Sequence, residues 1–141
     1  SDLNTNDINV LYEVGKNLGI AFQLEDDLLD SFGDEAKFGK KIGGDIIEQK
    51  KTLLFIFTQA KLNGNQRVEF ENIFFSNEIE EVVKINSIKT YYESSGAVDY
   101  LKNKVLEYSI NAEKLINQMQ IDTNKKLELI KFSEKLLNRE I

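Results

Sequence analysis

The sequence of 141 residues has no cysteine, histidine, proline or tryptophan, one methionine and only 8 glycines. Without cysteine and histidine there are no thiolate nucleophiles, no zinc sites of the usual ligand set, no Ser-His-Asp triads and no imidazole proton shuttles. Whatever chemistry the chain performs must run on carboxylates, lysines, amides and hydroxyls. The missing cysteines agree with a reducing compartment. No run of about 18 apolar residues exists, so no transmembrane segment is expected. The opening SDLNTNDINV lacks the basic and apolar regions of a signal peptide, and the chain is expected to be cytoplasmic. Its 24 acidic against 18 basic residues give a net charge of -6, which repels a polyanion at long range and argues against nucleic-acid binding as a main task.

What is present fits one globular domain over residues 1–141: 41% of the residues are hydrophobic and 30% charged. A chain of this size buries roughly two-thirds of the surface its unfolded form exposes, without staples. With no proline and apolar residues at helical rather than alternating spacing, the chain is expected to be all-α, a bundle of five or six helices. From about Asp7 to Phe32, residues such as Val10, Val14, Leu18, Ala21, Phe22, Leu28 and Leu29 wrap most of the way round a helix, as in one packed on several sides. A glycine-bearing loop then runs from Gly33 to about Asp45. Further helices are expected over about Ile46–Lys61, about Gln66–Phe75, a segment capped by Asn77 and ending near Ser94-Ser95-Gly96, and Ala97 to about Met119. A final helix is capped by Asp122 or Thr123.

The most informative segment is FQLEDDLLD, residues 22–30. At about 100° per residue, with Gln23 at 0°, Asp26 falls at about 300°, Asp27 at about 40° and Asp30 at about 340°, so all share one stripe. Three like charges on one face repel, and no Lys or Arg sits in this turn. A hard divalent cation supplies the missing charge, and Mg²⁺ held by one or two carboxylates plus phosphate oxygens fits best. Gly15 and Gly19 lie on nearly the same stripe, each costing about 1 kcal/mol relative to Ala. They leave a groove for a closely packed helix or for a ligand chain. Residues 33–52, GDEAKFGKKIGGDIIEQKKT, mix glycines with Lys37, Lys40, Lys41, Lys50 and Lys51. The composition suits either an ordinary solvated loop or one that binds phosphate through backbone N–H groups and ammonium charges. It lacks the P-loop spacing.

Together, Gly19, Phe22, Gln23, Asp26, Asp27 and Asp30, then Gly33-Asp34, Gly39-Lys40, Gly43, Asp45, Lys50 and Thr52, resemble the second aspartate-rich motif and following loop of trans-isoprenyl diphosphate synthases. Residues from about Asn65 onward resemble that family only in helical pattern and in the closing KLLNRE. The resemblance implies the C-terminal half of the isoprenoid synthase fold and a prenyl transfer between an allylic diphosphate and isopentenyl diphosphate, assisted by Mg²⁺. It makes Asp26 and Asp30 metal or metal-water ligands and Asp27 a neighbour of the site. Phe22 and Gln23 become residues lining the allylic substrate, and Lys50 with Lys40 or Lys41 become diphosphate ligands. It also implies a homodimer for the full-length protein. No first aspartate-rich motif occurs in these residues, so the chain is expected to be a C-terminal part that is inactive alone. Two other readings are a non-catalytic helical regulator or scaffold with a vestigial Asp motif, and a terpene cyclase sharing the fold. Product chain length cannot be read from these residues.

Overall fold

The computed structural model describes residues 3–137 apart from the side chain of Phe38; the last three residues of the KLLNRE segment lie outside them. The described residues form eight helices and no strand: α1 (Thr5–Phe32), α2 (Glu35–Phe38), α3 (Gly44–Ile47), α4 (Leu53–Lys61), α5 (Gly64–Phe74), α6 (Glu81–Ser94), α7 (Ala97–Gln118) and α8 (Thr123–Leu137). Six are long. The other two, α2 and α3, are single turns inside the segment expected to be a loop. No helix among the described residues is long and apolar enough to cross a membrane.

The helix expected over Ile46–Lys61 is two helices. Gln49 takes a left-handed φ of 58°, Thr52 is extended, and the N–H of Lys50 turns back to the carbonyl of Asp45 at 2.8 Å. No glycine marks the break, so local sequence gives no sign of it. Asn77 does not cap the next helix. The chain is still turning there, with the Ser76 hydroxyl accepting from the Glu78 N–H and Asn77 Oδ1 accepting from Gln49 Nε2. Asp122 does act as expected, its Oδ1 accepting from the Lys125 N–H at 3.1 Å.

The residues fall into two compact units. In the first, residues 3–25 and 103–137, Val14 and Leu18 of α1 bury against Ala112 and Ile116 of α7, with Leu129, Ile130, Leu136 and Leu137 of α8 packed around them. Asp7 is fully buried here, its Oδ1 accepting from the N–H of Gln120 at 2.9 Å. The face of α1 bearing Ile8, Tyr12, Ile20 and Phe22 stays exposed. The expectation of a helix covered on several sides is thus met only in part.

In the second unit, residues 26–102, Leu28 and Leu29 of α1 are buried, and α4, α5 and α6 close on an aromatic cluster. Its centre is Phe55, with ring centroids 5.3 Å from Phe70 and 4.3 Å from Phe74. Rings of this size contribute most of the apolar area of a small core. The buried face of α6 is Lys84, Ile85, Ile88 and Tyr92, while Val82 and Val83 are exposed. Lys84 is tolerated because its stem covers apolar surface and its ammonium donates to the carbonyl of Ser76 at 2.8 Å.

Candidate active site

The last turns of α1 carry the aspartates, and the loop that follows folds back onto them. Asp30 is the hinge of that closure. Its carbonyl accepts the N–H of Gly43, and its Oδ2 accepts the N–H of Asp45 at 2.8 Å. Gly43 can make this turn because it has a φ of 93° and no side chain. A Cβ there would sit 2.6 Å from Cδ1 of Ile85 on α6. Asp34 starts α2 by accepting the Ala36 N–H, and Glu35 accepts the N–H of Ile42. The glycine-lysine segment is therefore braced from within.

This closure separates the two lysines left as alternatives by the sequence. Lys40 Nζ stands 3.9 Å from Oδ1 of Asp30, whereas Lys41 Nζ is turned away, 3.1 Å from Oε2 of Glu81. Lys50 is exposed, with its charge beside Asp45. Asp26 is half-buried and Asp27 and Asp30 are buried. Phe22 and Gln23 are both exposed and belong to the first unit, where Phe22 lines a hollow of about 400 Å³ with Phe132, Lys135 and Leu136.

Burial and neighbouring like charges disfavour ionisation at Asp30 and Asp45. Burial pushes the Asp30 carboxyl above its ordinary pKa, and the charges of Asp45 and Asp26 push the same way against the Asp45 N–H and Lys40. Asp45 is raised too, first by burial, with Lys50 and Lys40 offsetting and Glu48 and Asp26 adding. Asp45 belongs to the motif, but sequence alone does not place it among the site residues. The signal available was its position directly after Gly43-Gly44, which lets its N–H reach Asp30.

Among the described residues, no group of three or more acidic side chains converges closely enough to hold a metal by itself. The donors present are hard oxygens, with one oxygen of Asp30 committed to a backbone N–H. That chemistry fits a cation taking one or two carboxylates from this chain and keeping water or phosphate oxygens elsewhere, as Mg²⁺ does. It does not fit an all-protein cage.

The sequence and the fold are similar to those of known proteins. Residues 1–92 match the polyprenyl synthetase family. A geranylgeranyl diphosphate synthase from Sulfolobus acidocaldarius is 35% identical over 127 residues, covering 82% of this chain and 34% of that protein. A crystal structure of a geranylgeranyl pyrophosphate synthase superposes with a TM-score of 0.85 at 33% identity, over 98% of this chain and 43% of that one. Another, from Corynebacterium glutamicum and solved with isoprenyl diphosphate and magnesium, gives a TM-score of 0.83 at 26% identity, over 94% of this chain and 38% of that one. The chain thus spans well under half the length of these relatives. Since the match covers the aspartate stripe, the braced loop and the aromatic cluster of the second unit, the chain belongs to the polyprenyl synthetase family.

Proposed function

We propose that this chain carries the diphosphate-ionising side of a prenyltransferase that joins an allylic diphosphate to isopentenyl diphosphate, giving a longer trans-polyprenyl diphosphate. The observation that carries the reading is the closure on Asp30, which gathers Asp45, Gly43 and Lys40 around the end of the aspartate stripe. It is supported by the relative from Corynebacterium glutamicum, which was solved with isoprenyl diphosphate and magnesium.

In this reading Asp26 and Asp30 hold Mg²⁺ directly or through its water, with Asp27 and Asp45 as acidic neighbours. Bound Mg²⁺ would supply charge neutralisation of the leaving diphosphate. Lys40 and Lys50 bind diphosphate oxygens by charge-assisted hydrogen bonds, and Lys41, engaged by Glu81, does not. The carbon–oxygen bond of the allylic substrate breaks with the electron pair leaving on the diphosphate. The double bond of isopentenyl diphosphate then attacks the cation, and a proton lost from the new product passes to the released diphosphate. Phe22 and Gln23 line the allylic chain and help keep water from the cation. The remaining metal ligands and the opposite wall come from outside these residues, so residues 1–141 alone do not catalyse the reaction.

The test is a thermal melt with Mg²⁺ and inorganic pyrophosphate. Ligand at a hundred times its Kd stabilises by about 2.7 kcal/mol. The melting temperature should rise for the native sequence, and Asp26→Ala should remove most of the rise. An equal rise in Asp26→Ala would place the metal elsewhere.

A further inference from the structure

Among the described residues, Gln49 is the one residue other than glycine with a left-handed φ, at 58°. It directly precedes Lys50, which the reading above places on the diphosphate. Strain of this kind persists only where the surroundings hold it, and it gathers at sites that need a set geometry. Two backbone bonds define the turn. The Gln49 N–H donates to the carbonyl of Ile46 at 3.1 Å and the Lys50 N–H to the carbonyl of Asp45 at 2.8 Å, the pair of bonds with which a helix end commonly closes around a glycine. Here α3 closes around a glutamine, in a conformation that glycine adopts without cost and a longer residue does not.

The glutamine side chain supplies a hold that glycine lacks. Its Nε2 donates to Oδ1 of Asn77 at 3.1 Å, across 28 positions of sequence. Asn77 stands on a turn that is itself fixed: the carbonyl of Ser76 accepts from the ammonium of Lys84, a buried residue, at 2.8 Å, and the Ser76 hydroxyl accepts from the Glu78 N–H at 3.2 Å. Further along, Glu81 holds Lys41 at 3.1 Å, and Ile85 fills the space beside Gly43. The start of α6 and the turn before it thus grip residues 41–49 at three points, and the grip at Asn77 is the one next to Lys50.

We propose that Gln49 is a positioning residue: clamped by Asn77 in its left-handed conformation, it sets the direction in which Lys50 leaves α3 and so holds that lysine for a diphosphate. The proposal rests on the reading of this loop as a diphosphate site. Without the clamp the strained dihedral relaxes, and Lys50, the next residue, moves with it. Gln49→Ala removes the clamp and keeps the strain. Gln49→Gly removes the clamp and the strain together, so the turn stays as it is.

Titration calorimetry with inorganic pyrophosphate and Mg²⁺ on the 141-residue chain tests it. Asn77→Ala, at an exposed position, and Gln49→Ala should each weaken binding about twofold to fivefold. The double variant should bind no more weakly than either, since both remove the same bond. Gln49→Gly should bind like the native chain, and Asn77→Ala should change nothing in that background. Unchanged affinity in Asn77→Ala, additive losses, or a loss in Gln49→Gly as large as in Gln49→Ala would overturn the proposal. Gln49→Gly should also melt at a higher temperature than Gln49→Ala, and equal melting would overturn it too, since no strain would then be held. Lys50→Ala should weaken binding about tenfold or more. Should the native chain not bind pyrophosphate, or Lys50→Ala bind as well as the native chain, the diphosphate reading of the loop fails and the proposal falls with it.

Discussion

Gly43 and Gly19 are the same residue under opposite demands. At Gly43 the φ of 93° and the side chain of Ile85, which would lie 2.6 Å from an added Cβ, both require glycine. Gly43→Ala should therefore cost about 2–4 kcal/mol, from backbone strain and overpacking together. At Gly15 and Gly19 an added Cβ would meet nothing within 4 Å. Close helix packing, one of the two uses the sequence suggested for these glycines, does not occur among the described residues. Gly15→Ala and Gly19→Ala should each raise stability by about 0.5–1 kcal/mol, since alanine is the better helix former. Thermal melts of the three variants check the contrast, and equal destabilisation by all three would contradict it. Ile85→Ala combined with Gly43→Ala should recover the steric share of the loss and leave the share due to φ.

At the scale of elements, α5 and α6 are joined by more than apolar contact. The Tyr91 hydroxyl donates to Oε1 of Glu69 at 2.6 Å, and the Tyr91 ring meets Phe70 edge-on at 5.4 Å. Burial, and then the bond and charge of Glu69, push the Tyr91 pKa up to about 12. A folded-state pKa raised above the unfolded value of about 10 gives stability that is fully present below pH ~10 and is lost as pH climbs toward about 12. Denaturant unfolding across this range should show an alkaline loss that Tyr91→Phe reduces, and tyrosinate absorbance should show one tyrosine fewer titrating late. An alkaline limb unaltered in Tyr91→Phe would detach the effect from this pair. The same helices show where sequence reading of elements stops. Gly39 and Gly96 end helical turns with left-handed φ values of 84° and 89°, as their glycines announce. The break between α3 and α4 carries no such mark. There Gln49 turns left-handed and the Lys50 N–H folds back to the carbonyl of Asp45, with no glycine or proline to announce it.

At the scale of the molecule, the described residues hold one carboxylate stripe and one braced loop, while the α1 face bearing Ile8, Tyr12, Gly15, Gly19 and Phe22 is exposed among them. Ionising a diphosphate requires charge stabilisation already in place around the leaving group, and losing one such group commonly costs about 100-fold in rate or more. Purified residues 1–141 should therefore give a mostly α circular dichroism spectrum and no detectable incorporation of radiolabelled isopentenyl diphosphate with Mg²⁺ and an allylic diphosphate. Turnover by the chain itself would mean that its residues form a site other than the one described.

The sequence by itself determined the helical class, the aspartate stripe and the family. Helical periodicity without proline admits little else, and the motif from Phe22 to Asp30 lies within three turns of one helix, where spacing along the chain fixes spacing in three dimensions. The placing of Lys40 near Asp30 and of Lys41 against Glu81, the arrival of Asp45 at Asp30 and the burial of Tyr92 were decided only by tertiary structure. Adjacent lysines are equivalent in a string of residues. They part company when the Gly43 N–H closes on Asp30 and α6 supplies Glu81 on one side of the loop and Ile85 beneath it. Lys41 and Glu81 are 40 positions apart in the chain, and such a pairing depends on how α6 docks rather than on any pattern within the loop.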